Sequence, residues 1–222
     1  MDTQAGKSGG RVLGLIPARA GSVRLPGKNM RPMAGRPMLG WTLAAAKAAV
    51  RLDHLAVTTD DADVAALARA EGFEVVNRPT ALADAQASVV DAIDHASTAL
   101  GGGFDWVALL QPTSPLRLAQ DIDGAVELAL AQDATVVSVS PLAKPSAFHG
   151  RIQADGRYRP APEAEGLTAL NGAVYVSRLA PLLRDRTFQT PDALAYIMPA
   201  ERAWDVDTLE EFAACEAVLR LR

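Results

Sequence analysis

Residues 11–29 read Arg-Val-Leu-Gly-Leu-Ile-Pro-Ala-Arg-Ala-Gly-Ser-Val-Arg-Leu-Pro-Gly-Lys-Asn. An apolar strand, Val12–Ile16, ends at Pro17. The twelve residues that follow hold three cations (Arg19, Arg24, Lys28) and two glycines (Gly21, Gly27). Glycine lets a backbone adopt positive φ and approach a ligand closely. Arg and Lys beside it supply the charge that holds a polyphosphate. Open α/β sheets keep their ligands at the carboxyl ends of their strands, and a loop placed directly after a first strand lies there. The pattern points to a nucleoside triphosphate and therefore to an enzyme, although a solvated surface turn carries similar residues. The spacing is neither GxxxxGK[ST] nor GxGxxG. Gly6-Lys7-Ser8 precedes the strand and is not a phosphate loop.

Working outward, 222 residues suit one α/β domain with a small insertion. A hydrophobic content of 49% is enough to bury a core at this size. The net charge of −4 argues against a nucleic-acid polymer as partner. No apolar run is long enough to cross a bilayer, so no membrane partner is expected. Residues 1–10 are polar and small, lack the apolar core of a signal peptide, and read as a flexible lead-in to a single domain over 11–222. Cys215, the sole cysteine, allows neither an intrachain disulfide nor a zinc knuckle, and its apolar helical surroundings mark it as core. His54, His95 and His149 show no metal-ligand spacing. A cytoplasmic protein fits these features.

Strand and helix patterns alternate along the chain. Strands are expected at 12–16, 54–59, 73–76, 106–110, 135–140, 173–177 and 195–198. Helices are expected at 38–50, 62–72, 86–100, 121–131 and 208–221, with Asp60-Asp61 capping the second. This rhythm predicts an α/β fold: a mostly parallel sheet with helices on both faces. The rhythm breaks at about 141–171, where Pro141, Pro145, Pro160 and Pro162 flank a strand-turn pattern at 151–158 and predict a small β-rich excursion.

Three further segments carry chemistry. In Gln111-Pro112-Thr113-Ser114-Pro115-Leu116-Arg117 a buried strand runs into two prolines that fix a turn. The turn is either a rigid connection or a place where the Gln111 amide meets a sugar hydroxyl or a base. In Asp205-Val206-Asp207 two carboxylates at i and i+2 of an extended segment point the same way. Hard oxygen ligands near a triphosphate suit Mg²⁺; equally, Asp207 or Thr208 caps the final helix. In Asn77-Arg78-Pro79 the arginine is held extended by the proline, and Ser88 falls in the first turn of the next helix.

Taken together these segments resemble the acylneuraminate cytidylyltransferases, or CMP-sialic acid synthetases. The likeness covers nearly the whole chain: IPARAGSVRLPGKN at 16–29, TTD at 58–60, NRP…AS at 77–88, LLQPTSPLR at 109–117, NGAVYVS at 171–177 and DVDT at 205–208. The resemblance implies a Rossmann-like nucleotidyltransferase that uses CTP and Mg²⁺, transfers CMP to a small acidic acceptor and releases pyrophosphate, acting as a homodimer. It implies catalytic roles for Arg19, Lys28 and Asp207, with Asp205 and Asp207 as metal ligands. Ala18, Arg19, Gly21, Ser22, Arg24, Lys28, Asn29, Arg78, Ala87, Ser88 and Gln111 would bind the nucleotide. Gln111, Thr113 and Asn171 would face the acceptor. An acceptor oxygen would attack the α-phosphorus in line, which needs positioning and charge neutralisation rather than a covalent nucleophile.

The chain departs from the family at several places. Val23 and Arg24 stand where the family often has Lys and Gly, Val89 where many members have a second Ser, and Ala85 where Asp is common. The largest departure precedes Asn171. Sialic-acid members carry a segment like Arg-Gln-x-Leu-Pro-x-x-x-x-Arg-x-Asn-Gly, whereas Pro160–Leu170 here contains neither Arg nor Gln, with Ala169 in place of the second Arg, and the excursion as a whole is shorter. A desolvated carboxylate needs a cation. Either Lys144, Arg151, Arg157 or Arg159 serves a nonulosonic sugar acid, or the acceptor is a smaller acid such as a phosphonate (phosphonoformate, for example). A non-catalytic nucleotide-binding module would be expected to lack Arg19, Lys28 or the aspartate pair, all of which are present.

Overall fold

The apolar run after Arg11 forms β1 (Val12–Pro17), whose side chains alternate between the two faces of a sheet as the period of two requires. Val12 and Ile16 enter one core and Leu13 and Leu15 the other, all at most 1% exposed. The structure, a computed structural model, describes residues 9–21, 24–84, 87–142, 144, 149–160 and 166–222. The expected lead-in up to Ser8 and the prolines at 145 and 162 lie outside the described residues.

After β1 come β2 (Pro32–Met33), β3 (Arg36–Pro37), α1 (Met38–Ala48), β4 (His54–Thr59), α2 (Ala62–Ala70), β5 (Glu74–Asn77), α3 (Thr80–Ala83) and α4 (Val89–Ala99). Then follow β6 (Trp106–Leu109), α5 (Ala119–Gln132), β7 (Val136–Pro141), β8 (Gly150–Ile152), β9 (Tyr158–Pro160), β10 (Thr168–Arg178), α6 (Leu179–Asp185), β11 (Leu194–Ile197) and α7 (Leu209–Arg220). Seven strands make the central sheet in the order β11-β7-β10-β6-β1-β4-β5. Side chains of α1, α2 and α5 pack on one face and those of α4 and α6 on the other. α7 closes a third core with Met33, Met38, Leu116 and Val206. Cys215 lies in that core; burial pushes its thiol up to about 12, so it is an inert packing residue.

The mostly parallel sheet is as expected, with one difference. β10 runs antiparallel to both neighbours, β6 and β7, and is eleven residues long rather than the five expected. Among the described residues no helix intervenes between β7 and β10, and a strand that returns without a crossover can only pair antiparallel. The register of β10 against β7 shifts between Leu170 and Tyr175, a bulge at Asn171-Gly172. The excursion is the hairpin β8–β9, whose residues are exposed.

The start of α4 also differs from expectation. α4 begins at Val89 because Ser88 is its cap, its hydroxyl accepting from Val90 N at 3.1 Å, and the short α3 precedes it. α2 is capped by Asp61 as expected. No helix among the described residues is long and apolar enough to cross a membrane.

Behind the sheet's carboxyl edge, Asp121 is 0% exposed and forms a bidentate pair with Arg202 at 2.8 and 3.0 Å. Removing one partner of a buried pair leaves the other charge uncompensated. Arg202→Ala is therefore expected to destabilise the chain by about 3–5 kcal/mol in urea unfolding, and Asp121→Asn with Arg202→Met to recover most of that loss. Equal urea midpoints for wild type and Arg202→Ala would contradict this assignment.

Candidate active site

The parallel strands β1, β4, β5 and β6 all end at the same edge, and the loops leaving β1, β5 and β6 line a cavity of about 540 Å³. Its lining includes Arg19, Arg24, Lys28, Asn29, Arg78, Ala87, Ser88, Gln111, Thr113, Asp205 and Asp207. Volume and position are those of a small-molecule site on an open α/β sheet.

The basic loop is held by the TTD segment at the end of β4. Ala18 N donates to Thr58 O at 3.0 Å, the Thr59 hydroxyl to Ala18 O at 2.5 Å, and Ala20 N to Asp60 Oδ1 at 2.9 Å. Gly27 takes φ +67°, the left-handed conformation, and starts the 3₁₀ turn that aims Lys28 and Asn29 inward. Asn29 Nδ2 donates to Arg19 O at 3.2 Å, and Arg19 Nη1 reaches Asp84 O at 2.7 Å, tying the loop to the end of α3. Arg78 is 9% exposed and donates to Thr58 O at 3.0 Å. Burial lowers its pKa, Asp60 opposes that shift, and Arg19 adds to it.

The aspartates face the loop from the far end of the chain. Val206 is buried, and Asp205 and Asp207 on either side of it both line the cavity. Thr208 caps α7 and leaves both carboxylates free of that duty. Lys28 Nζ donates to Val206 O at 3.0 Å and to Asp207 Oδ1 at 2.9 Å, while Arg24 holds Asp207 Oδ2. Desolvation raises the pKa of Asp205; the nearby Thr113 hydroxyl opposes the shift, Asp207 reinforces it and Lys28 opposes it. No group of three or more His, Cys, Asp or Glu gathers among the described residues. A cation bound by Asp205 and Asp207 would thus take its other ligands from phosphate and water, the habit of Mg²⁺.

On the opposite wall, Gln111 leaves the end of β6 and its carboxamide packs on the bulge. A Cβ at Gly172 would come within 3.3 Å of it. Thr113 O accepts from Val206 N at 2.7 Å, so the QPTSPLR turn also carries the aspartate segment. Arg117 is 2% exposed, with its pKa pushed down to about 9 by burial against the opposing effect of Asp121.

The structure thus brings together most of the residues picked from sequence and corrects some. Ala18 is 1% exposed and serves as a backbone anchor, and Gly21 is exposed; neither lines the cavity. Ser22 lies outside the described residues. Asn171 is 4% exposed and absent from the lining, because its Oδ1 is engaged by the Ser138 hydroxyl at 2.6 Å and by Ala173 N at 3.1 Å. It shapes the bulge instead. Lys144, Arg151, Arg157 and Arg159 are exposed and none lines the cavity. Sequence reasoning missed Glu211, whose Oε2 accepts from both Asp207 N at 2.8 Å and Thr208 N at 2.9 Å. The signal was the capping box Thr208-x-x-Glu211.

A family model described as cytidylyltransferase matches residues 13–152. The chain is 30% identical to a CMP-N,N'-diacetyllegionaminic acid synthase of Legionella pneumophila, covering 95% of this chain and 97% of that protein. The chain belongs to the cytidylyltransferase family. This cytidylyltransferase is also 34% identical to an N-acylneuraminate cytidylyltransferase of Streptococcus agalactiae over 89% of its own length, but spans only 51% of that relative. Among solved structures, a CMP:2-keto-3-deoxy-manno-octonic acid synthetase complexed with CTP superposes with a TM-score of 0.72 at 18% identity, covering 95% of this chain and 99% of the other. A 4-diphosphocytidyl-2C-methyl-D-erythritol synthase from Anaerococcus prevotii reaches a TM-score of 0.71 at 13% identity over 96% and 97%. At these identities the two structures support the fold.

Glu211 gives the cytidylyltransferase a pH-sensitive clasp on its aspartate segment. The two backbone bonds lower its pKa, so its contribution is present above the ordinary Glu range and is lost as pH falls through the lowered value. Glu211→Ala is expected to cost about 1 kcal/mol at pH 7. The difference from wild type should shrink in urea melts run at progressively more acid pH, and a constant difference would contradict the clasp.

Proposed function

We propose that this cytidylyltransferase transfers CMP from CTP to a hydroxyl of a nonulosonic sugar acid and releases pyrophosphate. One observation carries the reading: three loop cations and two aspartates converge on one cavity in a chain that matches a CMP-N,N'-diacetyllegionaminic acid synthase over nearly the full length of both. Arg19, Arg24 and Lys28 neutralise the triphosphate and the departing pyrophosphate, where charge grows as the bond to the α-phosphorus breaks. Arg78, Ala87 and Ser88 border the cytidine, and Gln111 and Thr113 the acceptor. A divalent ion, Mg²⁺ in the first instance, held by Asp205 and Asp207 would add charge neutralisation at the phosphates. Asp207 has both oxygens engaged by Lys28 and Arg24, so it is better suited to holding charge than to taking the acceptor proton.

The same reading makes the enzyme a cytoplasmic homodimer. CTP is a cytoplasmic metabolite, and Ile152, Tyr158 and Leu167 expose large apolar side chains on and beside the β8–β9 hairpin, which supports a subunit contact there. Light scattering tests the dimer.

The reaction is tested by incubating the protein with CTP, Mg²⁺ and, separately, N,N'-diacetyllegionaminic acid, N-acetylneuraminic acid, 3-deoxy-manno-octulosonate and phosphonoformate. Rapid pyrophosphate release with a nonulosonic acid is expected. Release with phosphonoformate alone would replace the acceptor, and release with none would remove the activity. Lys28→Met should lower kcat/KM by about 100- to 1,000-fold, the scale for losing a donor to developing charge. Chelation should abolish turnover, and full turnover by Asp207→Asn at saturating Mg²⁺ would exclude Asp207 from both metal binding and catalysis.

A further inference from the structure

Arg117 sits wholly inside the protein with an unusual set of partners. Its Nη1 donates to the backbone oxygens of Gln111 at 3.1 Å and Ala173 at 2.5 Å. Its Nε and Nη2 have no hydrogen-bond partner among the described residues. Asp121, the carboxylate that acts on it, is committed to a bidentate pair with Arg202. A buried cation with unmet donors is costly, and well-packed apolar residues commonly serve stability as well or better. Stability alone therefore gives no reason for an arginine here. The arginine does join two segments that meet at one wall of the cavity: the end of β6 at Gln111, and the strand just beyond the Asn171-Gly172 bulge of β10.

The same junction is braced from the other side. Gly172 has φ +69°, and a Cβ there would stand 3.3 Å from Cδ and Nε2 of Gln111. The backbone of Gln111 is thus held by Arg117, and its carboxamide rests on a position that only glycine fits without strain. Gln111 lines the cavity; Arg117 does not.

We propose that Arg117 is a positioning residue for the acceptor: by tying the carbonyls of Gln111 and Ala173 together it sets the Gln111 carboxamide in the cavity wall without touching substrate. The inference rests on the reading above that Gln111 faces the acceptor. A purely structural arginine would move stability and both substrates alike, whereas a positioning arginine moves the acceptor alone.

The test compares wild type, Arg117→Gln, Arg117→Lys and Gly172→Ala, using whichever acid of the panel the wild type turns over. Arg117→Gln and Gly172→Ala are expected to raise the acceptor KM by about tenfold or more, while CTP affinity measured by calorimetry stays within about twofold. Lysine keeps the charge but lacks the planar fork, so Arg117→Lys should restore only part of the loss. Equal rises for acceptor and CTP, or an unchanged acceptor KM in the folded variants, would overturn the inference. Should Arg117→Gln fail to fold, Gly172→Ala decides, since it disturbs Gln111 without touching the buried charge. A wild type that uses no acid sinks the functional reading and this inference with it. A wild type that turns over while the variants show no split sinks the inference alone.

Discussion

The Lys28 ammonium is the contact on which the site depends. It joins the first loop of the chain to a segment 178 residues later by bonding both the Val206 carbonyl and the Asp207 carboxylate. Its side chain is only 12% exposed, so the attraction is less screened than a surface pair. Arg24 reaches the same carboxylate, but at 69% exposure its bond adds little to stability. Without Lys28, Asp205 and Asp207 would stand side by side with only a solvated arginine to offset their repulsion. The lysine that suits a triphosphate is therefore also the one that allows two carboxylates to share one wall of its cavity.

The QPTSPLR turn is the second joint. Its Thr113 carbonyl receives Val206 N, which places the aspartates, and its Gln111 carbonyl receives Arg117, which ties the turn to the β10 bulge. Two prolines restrict the turn. One rigid connection thus sets the spacing between the side of the cavity that carries the carboxylates and the side that carries Gln111. This is the economy of an open α/β sheet: parallel strands end together, and the loops that leave them need only short reach to meet.

Much of this was legible in the residues. The continuous apolar run Val12–Ile16 and the cations after Pro17 located the sheet and the edge that carries the cavity. The i, i+2 aspartates were legible because alternate residues of an extended segment point the same way. The antiparallel β10 was not, since strand direction depends on the connection and the local pattern of Ala173–Ser177 reads the same either way. Asn171 and Ala18 were misread for one reason. Both lie in motifs beside the cavity, but the Asn171 carboxamide oxygen is taken by Ser138 and Ala173 and the Ala18 backbone by the TTD segment. Sequence names the motif, whereas the hydrogen-bond partners decide which of its atoms face the ligand.

The electrostatics separate function from packing by a similar logic. Arg78 and Arg117 are shifted down and Asp205 is shifted up, in each case chiefly by desolvation. A lowered cation and a raised carboxyl have the same sign: the charged form is less stable in the folded chain than in the unfolded one, so near neutral pH each subtracts from stability. Cys215 is also shifted up by burial, yet it is neutral at pH 7 whether folded or not and carries no such penalty. A chain selected only to fold would have little reason to keep the first three. All three lie at the carboxyl edge of the sheet, lining the cavity or bonded to a residue that does. A ligand of opposite charge at Asp205 or Arg78 would relieve the penalty on binding. Arg117 does not line the cavity and has no such ligand; Asp121 offsets part of its cost, and what it supplies in return is the tie between Gln111 and Ala173.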